Sequence, residues 1–139
     1  MHVLDTDTIT HLHARNPNVI RNLKKLDDPD VRITIITKME LLRGRSEFLI
    51  KASDPNQLVR AQKLFDRTEE LLSQIPILPI DQNSAIKFET LKKIKKLRKI
   101  GRKDILIASV TLAYRAVLVT QNIRHFKQVP DLTITNWVD

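Results

Sequence analysis

The chain begins MHVLDTDT, residues 1–8, and the reading of this stretch decides that of the rest. Val3 and Leu4 form a short apolar run suited to a buried strand. Two carboxylates one residue apart, Asp5 and Asp7, end it, and a threonine-rich helix start follows at once. In an open α/β sheet, ligands gather where strands end and helices begin, so acids placed there point into a crevice and away from the core. Asp5 is therefore the first candidate metal ligand. Asp7 is either a further ligand, direct or through water, or a cap of the following helix.

The alternation of short strands and helices continues. Residues 9–14 and 17–27 read as helices, the second opened by Pro17, burying Val19, Ile20, Leu23 and Leu26, and stopped by Asp28, Pro29 and Asp30. Residues 31–36, VRITII, are rich in β-branched side chains and read as a second strand. In TKMELLRG, residues 37–44, Thr37 and Glu40 fit a capping box; Glu40 equally lies in the first turn of a helix leaving the sheet's carboxyl edge, where it would face Asp5. Gly44 marks a bend or a close helix contact. After a loop over residues 51–57, Asp54 and Pro55 open a helix running to about Gln74. Its buried stripe is Leu58, Ala61, Phe65, Leu72 and Ile75, widened by Leu64 and Leu71.

Pro76 and Pro79 make residues 77–80 an edge strand, because neither proline can donate to a ladder. Asp81 caps a helix over residues 82–99 with Ile86, Phe88, Leu91, Ile94 and Leu97 inward. Gly101 breaks it, and Asp104 starts another, GRKDILIASVTLAY, with Ile105, Ala108, Ser109 and Leu112 inside. Residues 117–119 form a strand ended by Thr120, Gln121 and Asn122; residues 132–134 form the last one, and Trp137 anchors the tail over the sheet edge. This order means one α/β domain over residues 1–139, an α/β/α sandwich around a mainly parallel sheet of about five short strands.

A chain of 139 residues with 42% hydrophobic content can bury its own core. The absence of cysteine excludes disulfides, thiolate zinc sites and a cysteine nucleophile. No secretory pattern precedes the first strand and no apolar run approaches the roughly 20 residues of a membrane span, so the expected location is cytoplasmic. Lys and Arg number 24 against 16 for Asp and Glu, a net charge of +8, which points to an anionic partner: nucleic acid most simply, an acidic protein otherwise. Lys87, Lys92, Lys93, Lys95, Lys96, Arg98, Lys99, Arg102 and Lys103 crowd one segment in which Glu89 is the acid before Asp104, and Arg43 lies beside Glu40 in sequence. Such a run is either a solvated face or a surface that tracks phosphates.

Asp5, Glu40 and Asp104 each follow a strand or open a helix, and Asn122 sits at another strand end. Carboxylates held close together repel unless protons or a divalent cation neutralise them. Oxygen ligands alone suit Mg²⁺ or Mn²⁺. An acidic, metal-loaded pit with a basic rim is the layout of a phosphodiester hydrolase. No internal repeat or glycine-rich phosphate loop is present.

Four motifs in order carry a resemblance over nearly the whole chain: VLDTDTIT (3–10), ELLRG (40–44), DILIA (104–108) and VTQNIRHFKQVPDLTITNW (119–137). Together they resemble PIN-domain ribonucleases, in particular the VapC toxins of bacterial and archaeal toxin–antitoxin pairs. The resemblance implies a PIN fold, with Asp5, Glu40 and Asp104 as acidic ligands of Mg²⁺ or Mn²⁺ and Asn122 where many relatives carry a fourth acid. It implies an endoribonuclease in which metal-activated water leaves 5′-phosphate and 3′-hydroxyl ends; on the charge reading, Lys92, Lys93, Lys95, Lys96, Arg98, Lys99, Arg102, Lys103 and Arg43 would position the RNA. It also implies a homodimer and a VapB-type antitoxin that inserts a side chain into the acidic pit. An amide at position 122 brings no charge, so a second metal would be held less tightly; a nucleic-acid- or partner-binding PIN module with a degenerate site therefore stays open. Asp5-Thr6-Asp7-Thr8 also looks like the DxDxT opening of haloacid-dehalogenase-type phosphatases, although the late acidic pair of that family has no match here. His125 reads as a surface residue.

Overall fold

Five short strands, all parallel, form one sheet in the order β3-β2-β1-β4-β5 in the structure, a computed structural model that describes residues 1–27 and 29–139. They are β1 (His2–Leu4), β2 (Val31–Thr34), β3 (Ile77–Leu78), β4 (Val117–Val119) and β5 (Thr133–Thr135). The connecting helices are α1 (Thr6–His13), α2 (Pro17–Lys24), α3 (Ile35–Lys51), α4 (Pro55–Gln74), α5 (Gln82–Lys92), α6 (Arg102–Ala113) and α7 (Ile123–Phe126), with a 3-10 helix at Lys95–Lys99. The expected α/β/α sandwich is therefore present, and its sheet is fully parallel. Among the described residues no helix is long and apolar enough to cross a membrane.

A parallel sheet covered on both faces needs apolar side chains on both sides of each strand. β1 and β4 show it in register: Val3 pairs with Leu118 and belongs to one core cluster, while Leu4 pairs with Val119 and belongs to the other. The first cluster takes in α5 and α6 through Leu91, Ile105, Ala108 and Val110, with Phe126 of α7. The second takes in Ile9 and Val19 from α1 and α2, Leu41 and Leu72 from α3 and α4, and Trp137 from the tail. Asp54 before Pro55 and Asp81 before Gln82 are the caps expected, and Asn16 before Pro17 is a further one; each accepts backbone N–H groups of its own first turn.

Several boundaries differ from the sequence reading. β2 stops at Thr34, whose hydroxyl oxygen accepts the Thr37 N–H, so Ile35 and Ile36 open α3 and the capping box centred on Thr37 is absent. Burial of Ile36 in the core outweighs its β-propensity. The helix expected over residues 82–99 breaks after Lys92. Ile94 is extended, and the chain resumes as the 3-10 helix, which buries Leu97 and Ile100 in the core. Its dense like charge, spaced three and four residues apart, disfavours a continuous α-helix.

Leu58 and Ile86 are exposed rather than internal, because no neighbouring element covers them. Only Ala61, Thr68 and Leu72 of α4 are fully buried, and Phe65 is half-buried. A Cβ at Gly44 would meet nothing within 4 Å, so that glycine marks no close contact. α2 ends at Lys24, three residues early; of the turn beyond it, Asp28 lies outside the described residues. β5 lies one residue later than expected, and Trp137 covers the body of the sheet rather than its edge, its ring tilted against His2 of the central strand at 5.5 Å.

Candidate active site

β1 is flanked by β2 on one side and β4 on the other, and the chain leaves it in the direction in which all five strands end. Such a switch point opens a crevice at the carboxyl edge. Asp5 stands in it as the N-cap of α1. Its Oδ1 accepts the Thr8 N–H at 2.9 Å and its Oδ2 accepts the Thr120 hydroxyl at 2.6 Å. The residue that follows β4 thus becomes a hydrogen-bond partner of the acid that follows β1. Asp5 is only 6% exposed, and burial pushes its carboxyl above the ordinary range, with Asp7 adding to the rise and the Thr120 and Thr8 hydrogen bonds opposing it.

Glu40 reaches the same crevice from the second turn of α3. The Thr6 hydroxyl donates to its Oε1 at 2.7 Å, and the Lys103 ammonium stands 3.7 Å from its Oε2. Since Thr6 spends its one proton on Glu40, Thr37 is the donor in the 3.2 Å contact between the two threonine hydroxyls. Glu40 therefore caps nothing; it is held across the crevice toward α1.

Asp104 also caps nothing. Gly101 is the N-cap of α6 with no side-chain hydrogen bond, and Asp104 lies within the first turn, half-buried. Its carboxyl is raised by desolvation first, then by the negative charges of Asp5 and Glu40 and, last, Asp7, against a smaller lowering by His125. The mutual repulsion anticipated from sequence is thus a property of the fold. His125, expected at the surface, has its Nδ1 4.0 Å from Asp104 and 2.8 Å from the Asn122 amide nitrogen.

Asp5, Thr6, Asp7, Glu40, Asp104, Asn122 and Phe126 line one cavity of about 120 Å³. The acids come from three separate elements, and among the described residues no three acidic or histidine side chains already converge at ligand spacing. The donor set is hard oxygen throughout, with an amide and hydroxyls beside the carboxylates. That chemistry fits a small divalent cation which keeps several of its waters and leaves part of its shell for a phosphate.

The basic residues do not share one place. Lys103 alone of them faces Glu40 and also borders a second, apolar cavity of about 450 Å³ with Ile36, Met39, Leu42, Arg43 and Leu106. Lys92 and Lys93 pair with Glu89, and Arg43 with Glu47. Lys95, Lys96, Arg98 and Lys99 are exposed on the 3-10 helix, and Arg102 is exposed at the start of α6. The side chains that sequence reasoning passed over are Thr6, Thr120 and His125. A threonine directly after Asp5, another directly after Val119, and a histidine one turn beyond Asn122 were the signals available.

A PIN domain family model matches residues 2–132. Ribonuclease VapC1 of Haemophilus influenzae strain R2866 is 30% identical over 139 residues, covering 99% of this chain and 98% of that protein. A tRNA(fMet)-specific endonuclease VapC of Salmonella typhimurium is 28% identical over 137 residues, covering 97% and 96%. Among solved structures, VapBC2 from Rickettsia felis bound to a promoter DNA fragment superposes with a TM-score of 0.76 at 28% identity, covering 98% of each chain.

Proposed function

The chain belongs to the PIN-domain family, and from that premise we propose that it is a metal-dependent endoribonuclease, the toxin of a toxin–antitoxin pair. The observation that carries the reading is the acidic cavity, where Asp5, Glu40 and Asp104 meet beside Asn122 although they lie far apart in sequence. Relatives that span the whole chain are named as VapC ribonucleases, which supports RNA as the substrate. The family match leaves the dehalogenase-type phosphatase reading without support.

Asp5, Glu40 and Asp104, with Asn122 and Asp7 at the margin, would hold Mg²⁺ or Mn²⁺. When bound, the cation supplies a lowered water pKa and a positive charge for the phosphodiester oxygens. Asp5 is pre-oriented by its two hydrogen bonds and so presents its free lone pairs in one direction. Thr6 keeps Glu40 turned toward the same space. The first turn of α6 has no side-chain cap, so its N–H groups and the positive end of its dipole attract a phosphate beside Asp104. Lys103 adds charge at that point, and His125 borders Asp104 from the side of Asn122.

The similar Rickettsia felis structure is a VapBC2 assembly bound to promoter DNA. A cognate VapB-type antitoxin suits the apolar cavity beside the acidic one, where Met39 is 63% exposed and Arg43 and Lys103 form a charged margin. A homodimer is the toxin unit in this reading. The uncharged Asn122 favours one tightly held metal over two, and it is also the observation behind the second reading, a binding module with a degenerate site.

The test is cleavage of a mixed cellular RNA by the wild type, Asp5→Asn and Asp104→Asn, each with Mg²⁺, Mn²⁺ or chelator, followed by end mapping. Discrete metal-dependent cuts by the wild type alone, with RNA affinity retained in both variants, are expected. Unchanged turnover in either variant removes the assignment. RNA binding without cleavage under any metal favours the degenerate module.

A further inference from the structure

Outside the acidic cavity, one feature combines an aromatic ring, unpaired cations and a hollow. The Phe88 ring on α5 carries the Arg102 guanidinium 4.9 Å from its centroid and the Lys92 ammonium at 5.8 Å, the only cation–ring contacts among the described residues. A cavity of about 260 Å³ opens there, lined by Phe88, Lys92, Arg98 and Arg102 over a floor that includes Leu97 and Ile105. No carboxylate lines it. Among the described residues neither Arg98 nor Arg102 forms an ion pair.

We infer that this hollow is a stacking slot for one unpaired nucleobase of the RNA substrate, with Phe88 and Arg102 as its wall; the inference rests on the nuclease reading of the acidic cavity. A surface that merely tracks phosphates needs donors and no apolar floor. A slot for a base needs a flat apolar or π surface with cations at its mouth for the flanking phosphates, and unpaired bases stack on aromatic rings and on guanidinium planes alike. The break after Lys92 builds the slot, since the 3-10 helix turns Leu97 inward and leaves Arg98 at the rim.

Position ties the slot to the chemistry. Arg102 and Ile105 line it, and Asp104, between them on the first turn of α6, lines the acidic cavity. A strand crossing that helix start would place a phosphate over Asp104 and a neighbouring base against Phe88. The slot selects for single-stranded over paired RNA, because a base inside a duplex is already stacked, and for any base over none.

The experiment is equilibrium binding of the full chain in chelator to two probes of equal length, oligouridylate and an oligomer of abasic ribose phosphates. The wild type is expected to bind oligouridylate about tenfold more tightly. Phe88→Leu and Arg102→Gln collapse that ratio toward one, and Phe88→Tyr keeps it. Equal affinity for both probes in the wild type, or a Phe88→Leu loss shared equally by both, overturns the slot. Where Phe88→Leu fails to fold, exposed Arg102 carries the test through the same ratio. A wild type that cleaves RNA yet binds both probes alike removes the slot and leaves the nuclease. Discrimination through Phe88 without cleavage keeps the slot and removes the nuclease.

Discussion

Thr120→Val isolates the contribution of one hydroxyl to the acidic cavity. Thr120 is fully buried; its hydroxyl donates to Asp5 at 2.6 Å and accepts the Asn122 N–H at 3.0 Å. Valine keeps the branching and removes both bonds. A hydrogen bond to a charged group is worth roughly 1.5–3 kcal/mol, and half-buried Asn122 can turn its N–H to water, so the expected loss at neutral pH is about 2 kcal/mol, or about 4–8 °C in Tm for a chain of this size.

The pH dependence follows from the same bond. It stabilises the charged carboxylate and opposes the rise that burial imposes on Asp5. The loss is therefore full at pH values well above Asp5's raised pKa, and it shrinks as pH falls through that pKa and the carboxyl becomes neutral. Urea unfolding of the metal-free wild type, Thr120→Val and Thr120→Ser across that range measures it, with serine restoring most of the stability. In Mg²⁺, the valine variant's cleavage profile shifts to higher pH, because its Asp5 gives up the proton later. A loss that is independent of pH, or below about 0.5 kcal/mol at neutrality, refutes the assignment of the hydroxyl to the charged acid.

Asp104→Asn is expected to stabilise the metal-free protein at neutral pH, by less than at a fully buried carboxyl because Asp104 is partly exposed. The native carboxyl is raised by burial and by Asp5 and Glu40, so its stabilising contribution is full below the ordinary value of 3.8 and is lost as pH rises through the folded pKa. The variant's advantage should grow over that window and vanish in acid, while the Mg²⁺-induced rise in Tm disappears; thermal melts with and without metal decide it. Gly44→Ala should raise stability by about 1 kcal/mol, since Gly44 is exposed within α3 and an added Cβ meets nothing within 4 Å. A loss in chemical denaturation would mean that α3 needs the glycine for a reason its free surface does not show.

Much of the architecture was legible in the residues. Asp54 with Pro55, Asp81, and Pro17 as a helix opener act within three residues of themselves, so they announce helix starts wherever the chain later goes. Prolines 76 and 79 marked an edge strand for an equally local reason. The errors fell where packing overrode local preference. VRITII is β-branched at every position but Arg32, yet its last two residues wind into α3 because the sheet ends at Thr34. Ile86 and Leu58 have the right spacing for a buried face, but no partner element covers them.

By itself, then, the sequence determined the order of strands and helices, the absence of thiol chemistry, the basic charge and the placing of acids at strand ends. All of these depend on composition or on neighbours a few residues away. The tertiary structure alone decided that β1 lies between β2 and β4, and hence that Asp5 meets Thr120 across 115 residues and Glu40 meets Thr6 across 34. It likewise decided that Asp104 caps no helix and that Phe88 lies under Arg102. Contacts of that range depend on which strands pair and how the helices pack on them, and hydrophobic periodicity carries no information about strand order.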